Sequence, residues 1–385
     1  MRSRAALGLA AAAAEGRFRL QLCHDCGAAQ YPPRDVCGQC LSGALKWGDV
    51  ARGGIVAAVT TTRVSSELFF RARPPWRTAL VRLDAGPVVL AHLHGDSAQG
   101  ERVSLDIRLD PAGRGALFAT PERTPPHEED DPQLRAFAAN PKFRNVLIVD
   151  GRASTAPALA EAFAAAGVAR VFAGIAETWK PYPAPGASSL VEIVPLDPTD
   201  PVSVADLARR LGDKIDILVN NTDYFRPGGL IDGTDATAAR AGFEVHCLGM
   251  MRLAAAFGPI MRARTAETGR SAAAFVNVIS AWCLSGAPEF AAYAATQAAL
   301  RGLSHGLRAE TRASGLRVVD VLTGPIDDAW RQTIRPPKVA PAALAAAIVA
   351  ALREGREEAV VGEIAREIHA KWAEDPRLAR QEVLR

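Results

Sequence analysis

Two kinds of hydrophobic patterning divide the chain. Near the start, polar and apolar residues alternate over 17–22 (RFRLQL), which predicts a strand running into the first cysteine. Short β-branched runs follow at 55–62, 78–83, 88–93 and 103–109, separated by Gly, Pro and Asp. Many short strands without helices between them predict a small barrel. From Phe143 the pattern changes. Continuous apolar runs at 146–149, 169–173, 191–195, 215–219, 275–279 and 317–322 are interspersed with helical stretches such as 156–166. Such runs fit parallel strands covered on both faces, so the second part reads as a doubly wound α/β domain. Between the two parts, residues 121–142 are proline-rich and acidic and read as a linker. The expected organisation is therefore 1–120, a linker at 121–142, and 143–385.

The 385 residues are too many for one ordinary domain, in keeping with this division. Apolar residues make up 49% and charged residues 23%, enough for two cores. A net charge of +3 offers no electrostatic case for nucleic acid or an anionic membrane. No apolar run reaches the roughly 18 residues of a membrane span. Arg2 and Arg4 precede an alanine-rich run to Ala14 with no clear cleavage region, so this reads as a short helix, not a signal peptide.

The cysteines sharpen the picture. Four of the six lie between Cys23 and Cys40, which suits a metal site in a reducing, cytoplasmic setting better than a disulfide framework. Cys23 and Cys26 form one CxxC pair, Cys37 and Cys40 another. Two such knuckles supply four thiolates for tetrahedral zinc. No ligand position stays open, so the zinc is expected to be structural. His24, inside the first knuckle, is expected to be exposed.

The run EGRFRLQLCHDCGAAQYPPRDVCGQC, with the strands through Leu109, resembles the zinc-ribbon/OB-fold proteins found beside thiolases, over about residues 10–120. The resemblance implies a barrel that binds no nucleic acid, helps hold or channel the CoA arm of an acyl-CoA, and docks on a thiolase-like partner. Arg71, Arg73 and Arg77, near Trp76, are then candidate phosphate contacts; from sequence they read equally well as solvated loop arginines.

The stretch VLIVDGRASTAPALAEAFAAAG resembles the opening strand, turn and helix of short-chain dehydrogenases, and the likeness continues over about residues 143–365. That family implies a Rossmann-type sheet, an NAD(P) cofactor and association through helices near the catalytic tyrosine. Its glycine-rich turn lets backbone approach a pyrophosphate. Here the turn holds Asp150, Gly151, Thr155 and Pro157, so one glycine of three remains. Ile175 stands where an acid or arginine would select the ribose. Asp197 matches the adenine-side aspartate. Asn220 and Asn221 match the NNAG motif, with Thr222 and Asp223 replacing Ala and Gly. Gly324, in LTGPIDD, matches the loop near the nicotinamide, with Thr323 in place of proline.

Of the family's catalytic set, Ser280 and Tyr293 match in type and spacing. Gln297 takes the lysine position and His246 the asparagine position. A tyrosine near pKa 10 with no cation beside it is only about one part in a thousand ionised at neutral pH. Three separate losses thus predict no productive nicotinamide binding. The first reading of function is a non-catalytic subunit that handles a CoA thioester and forms a homo- or hetero-oligomer with a thiolase-like protein, an active dehydrogenase, or both. The alternative is an NAD(P)-dependent reductase of a 3-oxoacyl-CoA, in which Ser280 polarises the carbonyl and Tyr293 donates the proton. A nucleic-acid-binding barrel is a third, weakened by the scarcity of aromatics among basic residues.

Overall fold

The computed structural model describes residues 4–66, 75–110, 114–123, 131–180, 189–231, 236–267, 273–312, 314 and 316–381. Helix α1 (Arg4–Ala14) buries Leu9, Ala12 and Ala13. It lies close against the barrel, where a Cβ on Gly115 would come within 2.7 Å of the Leu9 carbonyl. Strand β1 (Arg19–Cys23) pairs antiparallel with β2 (Ala29–Gln30) and β3 (Leu45–Asp49) to form the ribbon sheet. The barrel contains β4 (Gly53–Thr62), β5 (Trp76–Leu83), β6 (Val88–Leu93), β7 (Arg102–Leu109) and β8 (Gly115–Pro121). It closes in the order β4-β5-β6-β8-β7. Alternation decides which side chains fill it: along β7, Val103, Leu105, Ile107 and Leu109 are buried. Strand β8 was not expected, because GALFATP carries no polar alternation to reveal it.

The Rossmann half runs β9 (Asn145–Ile148), α2 (Ala156–Ala165), β10 (Arg170–Ile175), β11 (Val191–Pro195), α3 (Pro201–Leu211) and β12 (Ile217–Asn220). It continues with α4 (Ala236–Phe243), α5 (Gly249–Glu267), β13 (Ala274–Ser280), α6 (Ala291–Thr311) and β14 (Arg317–Thr323). Then come α7 (Pro341–Glu354), β15 (Glu358–Val361), α8 (Glu363–Glu374) and α9 (Pro376–Gln381). The seven strands lie in the order β11-β10-β9-β12-β13-β14-β15, and every pairing is parallel. Side chains alternate between two cores. Leu147, Leu218 and Phe275 face α5 and α6, whereas Val146, Val219 and Val276 face α2 and α7.

The stretch expected as a linker contains a short helix, Pro132–Phe137. The acid and proline that read as linker are, at Asp131 and Pro132, an N-cap and a first helical residue. Leu134 and Phe137 are buried with Trp76 and Phe118 of the barrel. The second part of 121–142 is thus packed and not a free spacer.

One buried cation ties the halves together. Arg317, the first residue of β14, donates from Nη2 to the carbonyls of Leu109 (2.7 Å) and Phe137 (2.6 Å), and from Nη1 to that of Gly355 (3.1 Å). Burial lowers its pKa to about 10, against an opposing pull from Glu357, so it remains charged at neutral pH. Gly355 sits at φ +68°, and a Cβ there would meet the Phe137 carbonyl at 2.6 Å. The barrel therefore docks at the N-terminal edge of the sheet. Arg317→Ala is expected to cost about 3 kcal/mol, since it leaves three carbonyls without their charged donor. Urea denaturation of the full chain checks this; an unchanged midpoint would remove the stapling role.

Candidate functional site

The ribbon places its four cysteines as a ligand set. All four Sγ atoms lie within 4.8 Å of one another. Cys23 and Cys40 are 3.5 Å apart, Cys26 and Cys37 3.6 Å. Tetrahedral zinc with Zn–S near 2.3 Å needs edges of about 3.8 Å, so the cage fits the ion. Each knuckle is folded by its own backbone: Gly27 N–H donates to the Cys23 carbonyl and Leu41 N–H to that of Cys37. Both turns need a left-handed residue, supplied by Gly27 (φ 72°) and, less usually, Leu41 (φ 61°). Backbone N–H groups of Cys40 and Gln39 lower the Cys37 thiol to about 6. His24 is exposed and faces Asp25 at 3.6 Å, outside the thiolate set.

The second candidate lies at the C-terminal edge of the sheet. Strand order reverses across β9 and β12, and open α/β sheets bind ligands at such a point. A cavity of about 290 Å³ is found there, lined by the turn after β9, by 221–226 after β12, by Ser280, Tyr293 and Gln297, and by the loop after β14.

The turn is engaged with itself. The Asp150 carboxylate accepts from the backbone N–H groups of Arg152 (2.9 Å) and Ala153 (3.1 Å). Asn221 brackets the Asp150 backbone, accepting from its N–H at 2.9 Å and donating to its carbonyl at 2.8 Å. Gly151 N–H donates to Gly174. A Cβ on Gly151 would meet that same carbonyl at 2.9 Å, so this glycine serves strand packing. Burial raises the Asp150 carboxyl, partly offset by those two N–H donors. Ser154 donates to Asp328 at 3.3 Å, so the loop after β14 reaches across the turn. Asp150, Asp223 and Asp328 all line the cavity. A pyrophosphate at the turn would have to displace the first from its amides, while the other two are paired with Arg331.

The other positions expected to touch cofactor are also held within the fold. Ile175 is buried. Asp197 accepts from Thr199 N–H and Oγ1 at 2.8 and 2.7 Å. Gly324 N–H donates to Val361. Asn220 enters a buried polar row across the sheet. Its Nδ2 donates to Asn277 Oδ1 (3.2 Å), Asn277 donates to Ser304 (3.0 Å), and Ser304 donates to Asp320. Asn220, Asn277, Asp320 and Glu358 stand in register on four adjacent strands. Helix α6 faces them with Ser304, Arg308 and Arg301.

Ser280, Tyr293, Gln297 and His246 are brought together but not as a proton-transfer set. The Gln297 side chain accepts from Ser280 N–H at 2.9 Å. Ser280 Oγ accepts from Trp282 N–H at 3.4 Å. His246 sits in a π-helical turn, Glu244–Leu248, and is fully buried. Its Nε2 accepts from Tyr224 N–H at 2.9 Å, which assigns the proton to Nδ1, facing Thr296 Oγ1 at 2.8 Å. Sequence reasoning missed Arg331. Its guanidinium pairs with Asp223 and with Asp328 (2.7 Å), and Nη2 lies 3.4 Å from the Tyr293 hydroxyl. Burial raises the Asp223 carboxyl, but the Arg331 guanidinium paired with it outweighs this and holds it below the usual carboxylate range. Burial, reinforced by Asp223, pushes the Tyr293 phenol well above its usual range despite Arg331. Tyr293 can hold a proton but is a poor base. No sequence signal joins Arg331 to Asp223, which are 108 residues apart.

A short-chain dehydrogenase family model matches residues 144–338, half of the chain. The chain belongs to the short-chain dehydrogenase family. Two further models match the first part: the ChsH2 rubredoxin-like zinc ribbon domain at 10–46 and the ChsH2 C-terminal OB-fold domain at 47–109. The chain is thus a fusion of a zinc ribbon and OB-fold module with a short-chain dehydrogenase domain. A short-chain dehydrogenase from Burkholderia cenocepacia J2315, solved with NADP, is 29% identical at TM-score 0.56, covering 61% of this chain and 95% of its own. One from Streptomyces avermitilis is 26% identical at TM-score 0.50, covering 61% and 93%. The uncharacterized oxidoreductase YvrD of Bacillus subtilis (strain 168) is 34% identical over 115 residues, 30% of this chain and 41% of that protein. The chain thus spans less than half the length of that curated relative.

Of the cations expected on the barrel, Arg77 needs correction. Arg77 donates to the carbonyls of His94 (3.2 Å), Gly95 and Ser97 (2.7 Å), so it braces a loop and does not present itself to phosphate. Trp76 is buried and donates to His92 at 2.7 Å. Arg71 and Arg73 lie outside the described residues. Among the described residues, no helix is long and apolar enough to cross a membrane.

Proposed function

We propose that the chain is a non-catalytic, cytoplasmic subunit that handles a CoA thioester. Its short-chain dehydrogenase domain serves as an association scaffold for a thiolase-like protein, an active dehydrogenase, or both. The observation that carries this reading is Asp150, whose carboxylate occupies two amides of the turn where a phosphate would be received. The Asp223–Arg331 pair beside Tyr293 supports it.

Two surfaces support association. On the barrel, Leu80 and Leu90 are exposed directly opposite each other on β5 and β6, with Val88 and Ile55 beside them. On the Rossmann half, Ala295 and Ala298 of α6 are exposed, near the catalytic-tyrosine position, while Ala294 and Leu300 are buried. The open small-residue face is formed by Gly258 on α5 with Gly302 and Gly306 on α6, where an added Cβ meets nothing within 4 Å.

Titration of the full chain with NADH and NADPH, followed by cofactor fluorescence, is the test. Dissociation constants in the millimolar range or no binding are expected, because defects of a few kcal/mol each lower affinity tenfold per 1.4 kcal/mol. Micromolar binding together with reduction of a 3-oxoacyl-CoA would replace this reading with the reductase. The reductase reading has one observation in its favour: Arg331 stands beside the Tyr293 hydroxyl, a cation where Gln297 supplies none.

A further inference from the structure

The barrel closes on itself, so it offers no strand edge for another chain to extend. A protein that docks on it must meet the side chains of its outer faces. One of these faces is mostly aliphatic. Ile55 of β4, Leu80 of β5, and Val88 and Leu90 of β6 are each between 44% and 56% exposed. Strand register makes them one surface. Leu80 is paired with Leu90 on one side and Ala58 on the other, and Arg82 with Val88 and Ile55. Ile55 and Ala58 are three residues apart, which on a regular strand points them to opposite faces. The bulge between Val56 and Ala58 absorbs the extra residue and brings Ala58 back to the outer face, where it is exposed.

Arg82 thus lies between Ile55 and Val88, two residues along from Leu80. The other arginines of the barrel strands are Arg77, Arg102 and Arg108. Arg77 is used on carbonyls. Arg102 pairs with Asp84 at 2.9 Å and Glu122 at 3.1 Å. Arg108 approaches Asp106 at 3.6 Å. Among the described residues, the exposed Arg82 side chain has no hydrogen-bond or ion-pair partner. Acids at the ends of these strands are engaged, Asp84 and Glu122 with Arg102 and Glu101 with the Ala98 N–H.

These features restrict what can cover the face. None of its residues lines a described cavity, so it suits a macromolecular surface better than a small ligand. Covering it would enclose Arg82 among aliphatic side chains, and an enclosed guanidinium requires a carboxylate. A two-fold pairing of the face with itself offers each Arg82 the same acid-free patch. The missing charge has to come from a different surface.

We propose that this face docks a protein of different sequence that presents a carboxylate ringed by aliphatic side chains, with Arg82 receiving the carboxylate. The proposal rests on the association reading and names the partner chemistry for the barrel surface. An aliphatic centre rimmed by charged pairs such as Arg102–Asp84 is the usual anatomy of a protein interface, and arginine is enriched among the residues that dominate binding.

A photoactivatable benzophenone side chain in place of Leu90, in the full chain and in its native cell, tests this. The same group in place of Val202 on α3, an exposed position of the Rossmann half, is the control. Crosslinking is expected from position 90 and not from 202, to a protein other than this chain, at a segment with Asp or Glu among aliphatic residues. Calorimetry on the purified pair then reads the contact. Arg82→Glu is expected to weaken binding by about tenfold or more, and changing the contacted acid to lysine to restore it. Arg82→Gln is expected to weaken binding in the same sense, and it carries the test if zinc content or the denaturant midpoint shows Arg82→Glu to be misfolded. Unchanged affinity in the folded variant, no restoration by the reversed pair, crosslinking to a second copy, or equal crosslinking from both positions overturns the proposal. Binding to phosphatidylserine vesicles that Arg82→Glu abolishes assigns the face to a membrane and overturns it too. Micromolar nicotinamide binding with 3-oxoacyl-CoA reduction overturns the functional reading separately and leaves the crosslinking result standing.

Discussion

Cys37→Ser is expected to abolish stoichiometric zinc and unfold the ribbon. The sheet that carries the knuckles has strands of five, two and five residues, too few to bury a core of their own. Metal binding therefore supplies its folding energy, which for small zinc modules reaches roughly 10–16 kcal/mol. Cys37 is buried and its sulfur takes N–H donors from its own turn, and a serine hydroxyl cannot replace it as a thiolate ligand. The damage should spread to the barrel, because Phe18 and Leu20, on and just before β1, are buried in the barrel core. Wild type should contain about one zinc per chain by elemental analysis. Acidification should release it, because the thiols must lose their protons to bind and regain them as pH falls. Wild-type protein with no bound metal would end this account.

Asp320→Ala is expected to destabilise the Rossmann domain by about 3–5 kcal/mol, the range for a buried ion pair that loses one partner. The Asp320 side chain is fully buried and faces Arg308 at 2.8 Å, with His305 at 3.6 Å. Ser304 also donates to it. Removing the carboxylate takes away the nearest and fully buried acid of Arg308, leaving it with Glu357 at 3.6 Å and the carbonyls of Val318 and Glu357. Asp320→Ala combined with Arg308→Met should recover part of the loss, since the buried charge of the pair is gone and the remaining Glu357 is partly exposed. Urea denaturation with an unchanged m-value reads both. A loss for Asp320→Ala below about 1 kcal/mol would show that this row does not anchor α6, the helix that carries Tyr293 and Gln297.

Sequence was most informative where a signal is local. Two CxxC pairs fold as separate turns, so their spacing alone assembles the ligands. Alternation and continuous apolar runs depend on which faces are covered, and they located most strands of both halves. Strand β8, with no alternation, and the helix at 132–137, built from residues that also suit loops, escaped that reading. Asp320 escaped for a related reason: a single acid inside RVVDVLT does not break an apolar run, yet it sits in a row built from four strands.

The turn after β9 shows how far sequence could go at the site. The missing glycines were visible, and they argued against the close approach of a pyrophosphate. Folding decided something further, that the Asp150 carboxylate takes the amides itself. The Arg331–Asp223–Tyr293 group and the Arg317 staple were decided by tertiary structure alone. Their members come from segments far apart in the chain, and a lone arginine in sequence does not tell which distant carboxylate or carbonyl will receive it. Short-range patterns record the faces a segment must bury; the pairing of buried charges across segments is set only when those faces meet.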